Sequence, residues 1–319
     1  MAPVRIGILG CAGIARRRML PAMAACAETE ISVVASRDLL RARETAHPYG
    51  CRAVQGYESV LGDPAVDAVY VPVPAALHAH WAEAALRAGK HVLVEKPLAT
   101  DPGRTAELTA LAAQRSLALM ENVMFVHHGQ HTAVGELLAD GAVGAVRAMR
   151  AEFTVPARPD DDIRHRPDLA GGALWDTGVY PLRAALHFLG PHLSVTGAAL
   201  SNGPGRHVDT AGAALLRTPE GVTAQLSFGL DHGYRSLYEL VGSHGRITLD
   251  HAFTPPAGHV PVVRLENGDG TRELTLPAHD QVAAAVRAFA AAARAGTVPD
   301  SPTIRRQAEL LADIRQAAR

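Results

Sequence analysis

Over its first third the chain alternates short apolar, β-branched runs with stretches of helical spacing. Val4–Leu9, Ile31–Ala35, Val66–Val73, His91–Val94 and Leu117–Met120 read as buried strands. Ile14–Ala27, Leu39–His47, Ala75–Ala88 and Pro102–Arg115 read as the helices between them, and Gly89 stands where the third of these should stop. Strand, helix and strand in succession form a βαβ unit, which forces parallel pairing and places helices on both faces of the sheet. The pattern predicts an α/β, Rossmann-type domain over residues 1–122.

Beyond residue 122 the pattern changes. His131–Ala139 and Val179–Phe188 have helical spacing, whereas Arg147–Val155, Val195–Leu200, Ala211–Arg217, Val222–Leu230, Arg235–Val241, Arg246–Leu249 and Val262–Leu265 read as strands. Short turn signals such as Thr218-Pro219-Glu220-Gly221 and Gly242-Ser243-His244-Gly245 join consecutive strands, which implies antiparallel pairing. Gln281–Ala295 and Thr303–Ala318 close the chain as helices. Residues 123–319 are thus expected to form an α+β domain on a large, mainly antiparallel open sheet. Its helices suffice to cover one face. The other face is expected to join copies of the chain into a homodimer or homotetramer.

Composition excludes several classes. With 31 basic and 32 acidic residues the formal net charge is −1, so nothing favours a nucleic-acid partner. Three cysteines in 319 residues make neither a disulfide framework nor a zinc ribbon. No stretch has the length and apolarity of a membrane span, and Arg5 with Arg16, Arg17 and Arg18 breaks any signal-peptide pattern, so the expected location is cytoplasmic.

The first strand runs into Gly7-Ile8-Leu9-Gly10-Cys11-Ala12-Gly13-Ile14-Ala15. In a dinucleotide fold this turn lays pyrophosphate against free N–H groups at a helix start. The G-x-G-x-x-G/A fingerprint falls on Gly10, Ala12 and Ala15, with Ala12 in place of the middle glycine and Gly13 keeping the turn pliant. The second strand ends Ser36-Arg37-Asp38, where an NAD-type site would place an acid on the ribose. An arginine suits a 2′-phosphate, so Ser36 and Arg37 point to NADPH; the competing reading makes Asp38 the ribose ligand.

Two further constellations stand out. The strand His91–Val94 leads into Glu95-Lys96-Pro97, at the edge where such sheets bind ligands, although a loop lysine is most often only a solvated surface group. In Gly171-Gly172-Ala173-Leu174-Trp175-Asp176-Thr177-Gly178-Val179-Tyr180, Asp176 and Tyr180 share a helix face. From spacing alone an ordinary cap is favoured, with Asp176 or Thr177 starting the helix.

Taken together, the Gly10–Ala15 turn, Glu95-Lys96-Pro97 and the Gly171–Tyr180 segment resemble the glucose–fructose oxidoreductase / inositol dehydrogenase (Gfo/Idh/MocA) family over nearly the whole chain. Tyr180, where many relatives have histidine, resembles the tyrosine-type branch. Arg16 to Met23, Met120 to His128 and Asp161 to Arg164 resemble the bacterial ketoreductases that make TDP-linked deoxysugars. The resemblance implies reduction of a sugar ketone, the C3 keto group of a TDP-3,4-diketo-2,6-dideoxyhexose. Lys96 would polarise the carbonyl and Tyr180 would act as general acid, with Asp176 on a sugar hydroxyl. The resemblance further implies cofactor contacts from Gly10, Cys11, Ala12, Gly13, Ile14, Ala15, Ser36, Arg37, Val73, His78, Glu95 and Lys96. Arg164 and Asn122, beside these motifs, are candidates for substrate contact. Ala75 stands where many relatives have asparagine, so one cofactor contact is expected to be missing; a helix-start cap competes for His78.

Other chemistry is disfavoured. His127, His128 and His131 include one i, i+4 pair but lack a carboxylate in H-E-x-x-H spacing, so no metal site is expected. Neither a nucleophile elbow nor a phosphate loop of the P-loop type is present. Two alternatives stay open: an NAD(P)-dependent dehydrogenase of a free sugar, cyclitol or dihydrodiol, and a nucleotide-sensing regulator without turnover. Retention of both Lys96 and Tyr180 speaks against the regulator.

Overall fold

A computed structural model of the protein describes residues 2–319. Chain contacts divide it into two units: residues up to Asn122 together with Val282–Arg305, and Val123–Gln281 together with Arg306–Arg319.

The first unit begins with β1 (Val4–Leu9), α1 (Leu20–Ala25), β2 (Thr29–Ser36), α2 (Leu39–Ala46), β3 (Arg52–Gln55) and α3 (Glu58–Leu61). It continues through β4 (Ala68–Val71), α4 (His78–Arg87), β5 (His91–Glu95), α5 (Pro102–Gln114) and β6 (Leu119–Asn122). The strands form one sheet in the order β3-β2-β1-β4-β5-β6, every pair parallel. Such strands are covered on both faces, which explains why β1, β4 and β5 read as continuous apolar runs rather than alternating ones. The order reverses between β1 and β4, and the turns after β1, β2, β4 and β5 gather at the C-terminal edge of the sheet, where such folds bind ligands.

The second unit carries α6 (Gly129–Ala139), β7 (Val146–Thr154), α7 (Val179–Leu189), β8 (Ser194–Asn202), β9 (Asp209–Arg217) and β10 (Thr223–Gly229). Then come β11 (Arg235–Gly242), β12 (Gly245–Asp250), β13 (Val262–Asn267) and β14 (Gly270–Thr275). Its eight strands run β14-β13-β12-β11-β7-β10-β9-β8; all pairs are antiparallel except β10 with β7. Alternate residues of β7, β10, β11 and β12 are buried, and Met149, Leu226, Tyr238 and Leu249 pack with α7 residues such as Leu182 and Leu186. The opposite face bears an arginine–glutamate ladder, with Arg246 paired to Glu266 and Glu239, and Arg264 to Glu273.

Two helices complete the chain, α8 (Gln281–Ala295) and α9 (Ser301–Ala317). They depart from the expected unbroken second domain over 123–319, because residues 282–305 pack with the first unit. Val298 and Ile304 join the apolar layer of Leu108, Leu117 and Leu119, and Arg294 pairs with Glu28. Gly296 lies so close to the Ser116 carbonyl that a Cβ there would collide with it. Among the described residues no helix is long and apolar enough to cross a membrane, and no group of histidine, cysteine or acidic side chains has the arrangement of a metal site.

Candidate active site

The turn after β1 is built for close approach. Gly10 has φ of 125°, a conformation open mainly to glycine, and its N–H donates to the Ala35 carbonyl. The first bond of the following helix runs from Arg16 N–H to the Ala12 carbonyl at 3.1 Å, so the amides before it lie unclosed at the helix start. Cys11 and Ala15 are buried, whereas Ala12, Gly13 and Ile14 are half-buried. A Cβ on Gly13 would meet the far end of the Arg17 side chain, so this glycine is not sterically required. Five residues of the helix, Ala15–Met19, have π geometry, a widening often found at functional sites.

At the end of β2 Asp38 already has a structural task. Its Oδ1 accepts from the N–H groups of Leu40 (2.8 Å) and Arg41 (3.3 Å), so the carboxylate caps α2. The Ser36 hydroxyl accepts from Asp38 N–H, and the Arg37 side chain stands exposed. The edge of β2 therefore offers an exposed cation beside a carboxylate with one oxygen spent on α2. Tyr57, absent from the sequence reading, has its hydroxyl near Gly10 and rests edge-on against Trp81 at 4.9 Å. Burial pushes its pKa up, opposed by the charges of Arg37 and Arg41. A polyanionic dinucleotide fits this edge: unclosed amides, a glycine turn and exposed arginine charge converge on it.

The Lys96 corner is more heavily wired than the sequence shows. Glu95 ends β5 buried, and its Oε1 accepts from the Tyr70 hydroxyl (2.6 Å) and the Asn122 side-chain amide (2.7 Å). Burial pushes the Glu95 carboxyl up, while these bonds and the Lys96 charge hold it down. Asn122 is therefore not placed as a substrate ligand: it is 1% exposed, its nitrogen is spent on Glu95, and its Oδ1 is buried without a hydrogen-bond partner. Lys96 itself is half-buried and precedes a cis Pro97. The Glu121 carboxylate accepts from Leu98 N–H, fixing the chain just past the proline. His78 is buried with Nδ1 2.7 Å from the Pro97 carbonyl and Nε2 2.7 Å from the Val73 carbonyl. Both ring nitrogens face backbone, so the imidazole is neither a cofactor ligand nor a helix cap. Tyr70 is the partner that sequence reasoning missed; a glutamate at the end of an apolar strand, beside a strand with one hydroxyl, was the available signal.

In the second unit the two glycines before Asp176 have separate reasons. A Cβ on Gly171 would collide with the Arg164 carbonyl oxygen, and Gly172 has φ of 118° with its α-carbon against the Asp209 carboxylate. Gly172 N–H donates to the Arg164 carbonyl, which ties residues 164 and 172 together. Asp209, not Asp176 or Thr177, caps the helix by accepting from Leu174 N–H at 2.6 Å. Leu174–Gly178 is a second π segment and carries Asp176. Arg164 Nε–H donates to Asp176 Oδ2 at 2.7 Å and Nη1 to Asp162 Oδ1 at 3.1 Å. The two carboxylates, Asp176 first, hold the guanidinium even more firmly charged than usual. Arg164 thus acts on Asp176 and, with its charge already paired to two carboxylates, makes a poor phosphate ligand. Tyr180 is buried among aromatic rings, with Phe153 at 4.7 Å and Phe253 at 5.9 Å. The histidines 128 and 131 belong to a neighbouring buried layer: His131 contacts the Tyr238 hydroxyl and the Ala252 carbonyl, each at 3.0 Å.

Residues 4–123 match the model described as the oxidoreductase family, NAD-binding Rossmann fold, and residues 131–248 match the GFO/IDH/MocA C-terminal domain. The chain is 54% identical to a dTDP-3,4-didehydro-2,6-dideoxy-alpha-D-glucose 3-reductase of Streptomyces violaceoruber, covering 99% of this chain and 95% of that one. It is 49% identical to the enzyme of the same name from Actinomadura kijaniata, over 99% and 96% of the two chains. A crystal structure of a 3-ketoreductase from Actinomadura kijaniata in complex with NADP and TDP-benzene superposes with a TM-score of 0.97 at 49% identity, covering 99% and 98%.

Proposed function

Because this chain belongs to the GFO/IDH/MocA family of oxidoreductases, we propose that it reduces a sugar ketone with NADPH: the C3 keto group of a TDP-3,4-diketo-2,6-dideoxyhexose. The observation that carries this reading is full-length likeness, at 54% identity, to a 3-reductase of that sugar nucleotide. Lys96 and Tyr180 are both present to perform it.

Gly10, Cys11, Ala12, Gly13, Ile14 and Ala15 would hold the pyrophosphate, and Ser36 with Arg37 the 2′-phosphate. Val73, Glu95 and Lys96 would border the nicotinamide. When bound, NADPH supplies a hydride to the carbonyl carbon. As that C–H bond forms, the π electrons of the C=O bond move onto oxygen and negative charge develops there. The Lys96 ammonium stabilises this charge and draws the carbonyl toward reaction. Tyr180 donates its phenolic proton to the oxygen, and the phenolate left behind regains a proton from solvent. Asp176, oriented by Arg164, accepts from a sugar hydroxyl and fixes the ring. His78 and Asn122 support the Lys96 corner from within the protein.

A homodimer or homotetramer through the open face of the eight-stranded sheet belongs to the same proposal. Its support is the charged arginine–glutamate ladder on that face, with exposed Val262 on β13 beside it and exposed Leu215 farther along the sheet on β9.

The test is NADPH absorbance while the protein meets TDP-3,4-diketo-2,6-dideoxyglucose generated in situ. Rapid consumption is expected. No consumption under conditions where NADPH binds would overturn the reading.

A further inference from the structure

Three prolines surround the Lys96 corner: Pro72 and Pro74 flank Val73 after β4, and Pro97 follows Lys96. Proline contributes no N–H, so both turns are short of backbone donors. The carbonyls of Val73 and Pro97 meet instead at one side chain. His78, the first residue of α4, is 1% exposed and brings Nδ1 to 2.7 Å from the Pro97 oxygen and Nε2 to 2.7 Å from the Val73 oxygen. In either neutral tautomer the ring donates one hydrogen bond to one turn, while its other nitrogen, bearing a lone pair, faces the second carbonyl; a second proton would let it donate to both. Burial, and then the nearby charge of Lys96, oppose that second proton.

We propose that His78 is the positioning residue that fixes the Lys96–Pro97 turn against the end of β4, and so sets where the Lys96 ammonium stands. This rests on the reading of Lys96 as the group that polarises the carbonyl. It differs from a cofactor contact, because no ring nitrogen is left for one. It differs from a general packing role, because the carbonyl held belongs to the residue next to Lys96.

A double-mutant cycle tests it, with NADPH affinity followed separately by fluorescence. His78→Phe keeps a ring of similar size and removes both nitrogens. It should lower kcat by about 10–100-fold, the scale of a misplacement near 1 Å, with NADPH Kd within roughly threefold of wild type. His78→Gln, which still donates, should recover most of the loss. In a Lys96→Ala background, His78→Phe should cost almost nothing more. Equal loss in both backgrounds, or a loss residing in NADPH affinity, would overturn the proposal, as would full activity of His78→Phe. If His78→Phe does not fold, His78→Leu, which also lacks both ring nitrogens, takes its place in the cycle with the same expected outcomes. A wild-type protein without ketone turnover would instead bring down the functional reading itself.

Discussion

Arg37 stands at the end of β2 beside a carboxylate already committed to α2. It should therefore discriminate between dinucleotides through the 2′-phosphate. Arg37→Ala should weaken NADPH by roughly 10–100-fold, the worth of hydrogen bonds to a charged group, while NADH affinity stays unchanged. Equilibrium fluorescence titration of both cofactors checks this, and equal losses for the two would contradict it. At the reacting centre, Lys96→Ala and Tyr180→Phe should each lower kcat by about 10²–10⁴-fold with NADPH still bound. Steady-state kinetics beside cofactor titration separates the two effects. At this scale the strand end drew attention to Arg37, whereas the roles given to Lys96 and Tyr180 rest on the family resemblance, since spacing alone favoured an ordinary helix cap around Tyr180. Partners distant in sequence were not legible. Tyr70 and Glu95 lie on different strands and meet only once the sheet is formed, and Asn122 turns inward for the same reason.

Among the elements, the glycine turn before Asp176 shows what local sequence can and cannot carry. Two adjacent glycines announce a special backbone, but the reasons for them, the Arg164 carbonyl and the Asp209 carboxylate, arrive from elsewhere in the chain. Spacing also favoured Asp176 or Thr177 as the cap, whereas the capping oxygen comes from Asp209, 35 residues beyond Leu174. Gly172→Ala should destabilise the protein by about 1–3 kcal/mol, since it forces a β-carbon into a positive-φ position against a carboxylate. Gly13→Ala should leave the melting temperature nearly unchanged, because only the end of Arg17 must move. Calorimetry of the two variants side by side checks the contrast. The elements that escaped the sequence reading are β3, α3 and β14, each short, exposed on several residues and poor in large apolar side chains. The π segments escaped as well, since no composition marks a widened turn.

For the whole molecule, the βαβ alternation and the later run of strands foretold two sheets of opposite kinds, but not that residues 282–305 return to the first unit. Helical spacing shows that a segment is amphipathic, not which core will receive it. The buried histidine layer of the second unit gives the protein an acid limit. Burial, with neighbouring histidines, pushes His131 down to about 3 and His128 to about 4. Both are depressed below the unfolded value near 6.5, so the unfolded chain takes up protons first as pH falls. Stability should be level above about pH 6.5 and decline below it toward the folded values. Melting temperatures between about pH 6.5 and 5, above the main carboxylate range, would reveal the slope; a flat profile there would refute it. Light scattering should find a dimer or tetramer at micromolar concentration, and a monomer would refute the role given to the open sheet face. The reaction itself is tested most directly by tracing the hydride. NADPH deuterated at the transferring C4 position, mixed with the TDP-3,4-diketo-2,6-dideoxy sugar, should leave deuterium at C3 of the product, and Lys96→Ala should transfer almost none. Deuterium at C4, or none in the sugar while NADPH remains bound, would contradict the assignment of this chain as a sugar 3-ketoreductase.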